Sequence, residues 1–301
     1  EKEKRAPSIA AAGGHHILLK GPPGTGKTIL ARAFAQLFPP MSKAQSLETS
    51  KIYSIIGQLP KSTPIITTRP FREVHHTTTS TALIGGGANP KPGEITLSHN
   101  GILFLDEIAE FPRKLLDCLR QPLEDKVIRI SRTAASYKFP CDFTLIAAMN
   151  PCPCGHKDDP KKTCTCTTTA IKNYNSKISG PLLDRFDIHL NVEKVSISKA
   201  QKSTHNYQEQ IFSAHSIQQK RYANHSKLSR NSDLTHQNIA AFCTLNIASQ
   251  NLLNRATEKL GLSNRGYIKT IKLARSIADL EGQAQINQIH IAEAIAYRSI
   301  S

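Results

Sequence analysis

Eight residues constrain the fold of this chain more than any others: Gly21, Pro22, Pro23, Gly24, Thr25, Gly26, Lys27 and Thr28, a complete G-x-x-x-x-G-K-[ST] run. Ahead of it stands a short apolar stretch, His15 to Lys20 (HHILLK). Behind it, Thr28 to Phe38 (TILARAFAQLF) carries apolar residues at helical spacing until Pro39-Pro40 stops it. A strand, a glycine-rich turn and a helix in that order form a phosphate-binding loop. The glycines let backbone N–H groups turn inward around phosphates, at the positive end of the helix dipole. Lys27 is then placed to reach the β- and γ-phosphates, and the Thr28 hydroxyl to coordinate Mg²⁺. The run implies a nucleoside triphosphate as ligand.

Further apolar runs read as buried strands: Ile102 to Leu105, Phe143 to Met149 and Ile188 to Val192. Helical patterns such as Lys114 to Leu123 separate them, and strands alternating with helices predict an α/β fold with a parallel sheet covered on both faces. Ile102-Leu-Phe-Leu ends in Asp106 and Glu107, which puts two carboxylates at the strand's C-terminal edge beside the loop. Asp106 is suited to hold Mg²⁺ through water, and Glu107 to orient and polarise an attacking water. From about residue 204 the strand signals vanish and amphipathic helical stretches continue to the end. The expected organisation is an α/β nucleotide-binding domain over residues 1–194, a connecting segment over 195–230 and an all-helical lid domain over 231–301.

Lysines and arginines number 39 against 23 acids, a net charge of +16 over 301 residues. The surplus is shared between residues 1–194 (26 basic, 17 acidic) and the remainder (13 and 6), which favours a polyanion partner because each neutralised phosphate releases counterions. No apolar run approaches the roughly 20 residues a membrane span needs, and no signal-peptide pattern opens the chain. A cytoplasmic protein without a membrane partner is expected. Seven cysteines in such a chain argue against a disulfide scaffold; Cys118, Cys141 and Cys243, scattered among apolar residues, read as core thiols.

The other four form a C-x-C…C-x-C pair, Cys152-Pro-Cys154 and Cys164-Thr-Cys166, in a loop over residues 151–167. Four thiolates there could close a tetrahedral, structural Zn²⁺ site, with His156 as a possible substitute ligand. Redox-sensitive or accidental loop cysteines are the alternatives. Two insertions stand out as substrate-facing candidates, about 75–100 (with Lys91-Pro-Gly) and 126–141. The second reads as a β-hairpin turning near Ala134-Ala135 and carrying Lys126, Arg129, Arg132 and Lys138.

Longer motifs connect these parts. Arg69-Pro-Phe-Arg72, His75-His76-Thr, Ala82-Leu-Ile-Gly-Gly-Gly87, Pro92-Gly-Glu-Ile95, Leu97-Ser-His-Asn-Gly101 and Leu119-Arg-Gln-Pro-Leu-Glu-Asp125 precede Ile130-Ser-Arg132. Ala147-Ala-Met-Asn-Pro-Cys-Pro-Cys-Gly155, Ile178 to Asp187, Leu260-Gly-Leu-Ser-Asn-Arg-Gly-Tyr267 and Ala292 to Arg298 follow. Together they resemble the magnesium-chelatase-like AAA+ ATPases, and most closely the ComM/YifB group, named for competence and implicated in DNA processing during natural transformation. The resemblance runs from about Ala10 through nearly the whole chain. It implies an AAA+ fold with a helical lid, a homo-oligomeric ring with six subunits as the expected number, and ATP and Mg²⁺ as cofactors. It also implies roles: Asn150 as the polar sensor of γ-phosphate and attacking water, Arg185 as the arginine finger offered to a neighbouring subunit, and Arg265 as the lid arginine that reads γ-phosphate. In that family hairpins like the one at 126–141 face the channel of the ring.

One departure stands out. ComM-like proteins carry an upstream domain similar to the substrate-processing fold of Lon protease, and nothing before Gly13 supplies it. A fragment or a lineage without that domain is expected. The reading that follows is a Mg²⁺-dependent ATPase ring that translocates on or remodels DNA. A magnesium-chelatase-type motor driving metal insertion into porphyrin, and a nucleotide-gated scaffold with little turnover, are the alternatives.

Overall fold

The structure is a computed structural model, and it describes residues 2–59, 64–87, 89–131, 136–157, 159, 162–193, 207–225 and 228–298. Nine strands occur among them: β1 (Ile17–Lys20), β2 (Phe71–Val74), β3 (Gly85–Gly86), β4 (Lys91–Pro92), β5 (Ile102–Leu105), β6 (Val127–Ser131), β7 (Ser136–Pro140), β8 (Thr144–Met149) and β9 (Ile188–Asn191). Five of these form one sheet in the order β2-β5-β8-β1-β9, and every pairing in it is parallel. The fold is α/β, as the alternating runs predict. β1 lies between β8 and β9, with Ile17 opposite both Ile146 and Ile188.

Side chains alternate across the sheet and divide the core in two. Ile17, Leu19, Phe104, Ile146 and Ile188 pack with Ile9, Phe34, Ile211 and Ile277 on one side. Those partners come from helices Lys2–Gly13, Lys27–Ala35, Tyr207–Tyr222 and Asn264–Leu280. Leu18, Leu103, Leu105, Leu145 and Met149 face the other way, onto Ile108, Leu116, Tyr174, Leu182 and Phe186. Both faces of each central strand are covered, which is why those strands read as continuous apolar runs.

Several local differences from the sequence reading have simple causes. Lys114–Leu123 is not one helix but parts of two, Arg113–Asp117 and Arg120–Asp125, with Leu115, Leu116 and Leu119 buried. Pro122 in the second cannot donate to the preceding turn. Cys118 is exposed rather than a core thiol, whereas Cys141 and Cys243 are buried. Residues 207–222 of the expected connection form a helix that seats Ile211, Ala214 and Tyr222 in the core. The helical C-terminal region contains His236–Phe242, Ile247–Leu260, Asn264–Leu280 and Gln288–Ala296.

The two insertions take compact forms. β3 and β4 make a two-residue ladder whose exposed Lys91 is held between helices Ser80–Ile84 and Glu94–Leu97. β6 and β7 form the expected antiparallel hairpin, with Ile128, Ile130 and Phe139 buried and Arg129 directly opposite Lys138 on the exposed face. Arg132 and the turn near Ala134-Ala135 lie outside the described residues.

Candidate nucleotide site

β1, β5 and β8 all deliver their C-terminal ends to one edge of the sheet, and the phosphate loop begins there. Its first residue is fastened to the neighbouring strand, Gly21 N donating to Met149 O at 3.2 Å. Gly24 and Gly26 adopt left-handed φ values of 76° and 81°, a conformation open to glycine and strained for other residues. A Cβ placed on either would meet nothing within 4 Å, so both positions border open space. Helix Lys27–Ala35 starts at Gly26 without a side-chain cap, leaving its N-terminal N–H groups for an anion.

Lys27 folds back over the start of the loop. Its Nζ donates to Gly21 O at 2.7 Å, Pro22 O at 2.9 Å and Asn150 Oδ1 at 3.2 Å. Burial lowers its pKa, and Asp106 and Glu107 act against that shift. Thr28 Oγ1 donates to Asp106 Oδ2 at 2.9 Å. A hydroxyl and a carboxylate side by side are the hard oxygen donors that Mg²⁺ takes. The open cradle, the ammonium and this oxygen pair all suit a Mg²⁺-bound triphosphate.

Glu107 sits just past β5 at φ 51°, an uncommon backbone state for a residue with a side chain. Its N–H donates to Asp106 Oδ1 at 2.9 Å, which stabilises that turn, and its side chain is half exposed. Two histidines that sequence reasoning noted only as part of a motif stand over it. His76 Nδ1 lies 3.6 Å from Glu107 Oε2 and has no hydrogen-bond partner although buried, and the His75 and His76 rings are 4.0 Å apart. They follow β2, an edge strand hidden in the sequence because Arg72 and Glu73 interrupt its apolar pattern. Lys27, Thr28, Asp106, Glu107 and Asn150 are therefore gathered at one place.

Arg185 and Arg265 are not among them. Arg185 precedes β9, and nearby Asp187 N donates to His16 O, just ahead of β1. Both lie at the N-terminal edge of the sheet, about 13 Å from the phosphate loop for four residues at ~3.3 Å each. Arg185 pairs with Glu124, and Arg265 Nη2 reaches the same carboxylate at 3.3 Å. Burial lowers the Arg185 pKa, opposed by Glu124, and its Nε has no partner. Lys269, one turn on from Arg265, donates to Arg185 O at 2.6 Å and pairs with Asp187 at 2.7 Å. A cavity of about 310 Å³ at this edge is lined by Glu124, Lys126, Arg185, Arg230, Arg265 and Lys269, among others. Neither arginine touches the phosphate loop of its own chain.

Of the hairpin cations, Lys126 is engaged within the chain, its Nζ lying 3.1 Å from Asp142 and 2.6 Å from Asp233. Arg129 and Lys138 remain on the exposed face. The four clustered cysteines converge as their spacing predicts: their sulfurs all lie within 4.8 Å of one another. His156 is not among them; its Nδ1 is 3.3 Å from Asp159. No helix among the described residues is long and apolar enough to cross a membrane.

The chain is similar to known proteins along nearly its whole length. The family described as magnesium chelatase, subunit ChlI, matches residues 1–200, and the one described as its C-terminal part matches residues 201–298. YifB of Salmonella typhimurium is 42% identical over 309 residues, covering 100% of this chain and 59% of that protein. The competence protein ComM of Haemophilus influenzae is 43% identical over 303 residues, covering 99% of this chain and 58% of its own length. The chain thus spans a little under three fifths of the length of these relatives. With a phosphate loop on a five-stranded parallel sheet, a helical C-terminal region and two matching family descriptions, the chain belongs to the magnesium-chelatase-like AAA+ family.

Proposed function

We propose that this chain is the motor part of a Mg²⁺-dependent ATPase that works as a cytoplasmic homo-oligomeric ring, with six subunits, and translocates on or remodels DNA. The observation that carries the reading is the division of the site between two edges of one sheet. Lys27, Thr28, Asp106, Glu107 and Asn150 converge on one, and Arg185 and Arg265 share Glu124 on the other. In a head-to-tail ring the second edge of one subunit meets the first edge of the next, which closes the ring by a heterologous interface.

Within that arrangement each residue has a task. Lys27 and the loop amides bind the triphosphate, while Thr28 and Asp106 would hold Mg²⁺, which would neutralise charge on the phosphate oxygens when bound. Glu107 orients the attacking water and accepts its proton. Asn150, beside Lys27, fixes the γ-phosphate end. Arg185 of the adjacent subunit leaves Glu124 to stabilise charge on the transferring group, and Arg265 moves with it. Cys152, Cys154, Cys164 and Cys166 hold a structural Zn²⁺.

DNA enters the reading through the +16 charge, the relative named for competence, and Arg129 opposite Lys138 on an exposed face. In sequence the hairpin lies between the Glu107 and Asn150 strands, and it leads into the N-terminal end of β8. ATP turnover measured without DNA and with single-stranded, duplex and branched DNA tests this. Stimulation by one form is expected. In the double variant Arg129→Ala/Lys138→Ala, basal turnover survives, stimulation falls, and the salt slope of DNA binding drops by up to roughly two units. Turnover indifferent to every DNA form would move the reading to a porphyrin-metallation motor; little turnover at all would move it to a nucleotide-gated scaffold.

A further inference from the structure

The cysteine knuckle is built against the nucleotide site. It opens at Cys152, two residues after Asn150, and turns back on itself through Gly155 N donating to Cys152 O at 3.0 Å. Gly155 has φ +79°, and a Cβ built there would lie 2.7 Å from Pro23 Cδ, 3.1 Å from Pro23 Cγ and 3.9 Å from Asn150 Cγ. Only a glycine lets the knuckle backbone come this close to the phosphate loop. The same Asn150 accepts from Lys27 Nζ at 3.2 Å. Knuckle, loop and sensor are one packed unit.

The knuckle's own geometry is that of a metal site. Cys152 Sγ lies 3.4 Å from Cys154 Sγ and 3.7 Å from Cys164 Sγ, and Cys154 and Cys164 are 3.6 Å apart. Four sulfurs at ~2.3 Å from a tetrahedral Zn²⁺ would be about 3.8 Å from one another. Backbone N–H groups point at the sulfurs: Lys157 N donates to Cys152 Sγ at 3.3 Å, and Cys154 N to Cys166 Sγ at 3.4 Å. Such outer bonds orient thiolate ligands and stabilise their charge.

We infer that zinc in this knuckle props the phosphate loop and Asn150 in the nucleotide-binding arrangement, so that metal occupancy governs nucleotide affinity. The inference rests on the zinc and nucleotide-site readings above but not on hydrolysis, ring formation or DNA. Cys152, Cys154, Cys164 and Cys166 are the ligands, and Gly155 and Pro23 are the contact through which the metal acts. With the metal gone, Pro23 loses the wall behind it and Asn150 loses its fixed chain continuation. Lys27 then loses one of its three oxygen partners.

The test starts with protein purified under reducing conditions without chelator. Metal analysis should find about one Zn²⁺ per chain. A zinc-selective chelator in excess Mg²⁺ then removes it, with far-UV circular dichroism reporting the fold and a fluorescent ATP analogue reporting affinity. Affinity should fall at least about tenfold, the effect of ~1.4 kcal/mol, and return when Zn²⁺ is restored. Gly155→Ala keeps all four thiols but presses on Pro23; it should retain zinc and still bind the analogue more weakly. Protein that contains no zinc overturns the metal reading and the inference with it. Zinc that leaves while affinity stays within twofold overturns the inference alone. If stripped protein loses its fold, Gly155→Ala decides: parental affinity in that variant overturns the coupling.

Discussion

The two edges of the central sheet are made of similar residue types used in opposite ways. At the C-terminal edge the polar groups are partly open and loosely shared: Glu107 is half exposed, His76 Nδ1 has no partner, and Lys27 leans on backbone carbonyls. At the N-terminal edge the charges are buried and paired, as in Lys269 with Asp187 and in Arg230 with Asp142 and Asp233. Open polar groups retain capacity for a ligand, whereas buried paired ones fix one geometry. Arg185 differs in its partner. It is buried like the others, but the carboxylate that holds it, Glu124, is half exposed and shared with Arg265.

The largest expected effect comes from that residue. Arg185→Ala should lower ATP turnover by about 10³-fold or more, the scale on which an arginine finger acts. The decisive measurement is mixing. Arg185→Ala combined with Lys27→Ala should recover part of the activity, because some interfaces then hold one intact half-site from each parent. Verified mixed rings with no recovery would mean the two edges do not meet across an interface. Arg265→Ala, sharing Glu124, should complement in the same direction.

At the open edge, the proposed role of Glu107 predicts that Glu107→Gln leaves triphosphate affinity within a few-fold while turnover falls about 10²–10⁴-fold, the scale of general-base catalysis. Lys27→Ala should lose binding itself. Equilibrium binding and single-turnover hydrolysis separate the two, and parental turnover in Glu107→Gln would place water activation elsewhere. His76→Ala sharpens the contrast: it removes the ring beside Glu107 and should change turnover more than affinity.

How far the sequence reveals these edges depends on how local each signal is. The phosphate loop, Asp106-Glu107 and the buried strands are each runs of consecutive residues, although the sheet takes the strands out of sequence order, as β2-β5-β8-β1-β9. The capping box at Ser42 and Gln45 is equally local, but helix Lys43–Ile55 has no apolar stripe to mark it: its buried residues include Ser46, Thr49 and Ser50. The closed edge is non-local by construction: Glu124, Arg185 and Arg265 come from three distant segments. Family resemblance supplied roles for the two arginines; only coordinates show that they share a carboxylate. Lys126 teaches the converse. Its position before a basic hairpin suggested a nucleic-acid contact, but Asp142 and Asp233 engage its charge. The contact between Gly155 and Pro23 left no sequence signal, since it depends on a loop folding back over more than 120 residues.

The smallest expected effect is on stability, and it tests the closed edge by pH. Burial alone would raise the Asp233 carboxyl, but Arg230 and Lys126 outweigh it and hold it well below the usual range. Asp142 is lowered against its own burial by the same two cations, and Asp187 against burial by Lys269 and His15. Carboxylates whose folded pKa is depressed add stability that is fully present above their unfolded value of about 3.9 and is lost as pH falls through the folded value. The denaturant midpoint should therefore be nearly flat in these groups from pH 7 to about 5 and decline below about 4. Asp233→Asn removes one of the titrating groups. It should cost roughly 2–3 kcal/mol at pH 7, the scale of hydrogen bonds to a charged group, and flatten the acid decline. Lys126 is more than a third exposed, so its share of that figure is the smaller one. An acid decline that Asp233→Asn leaves unchanged would show that the closed edge is not where charge pairing holds the helical C-terminal region to the sheet.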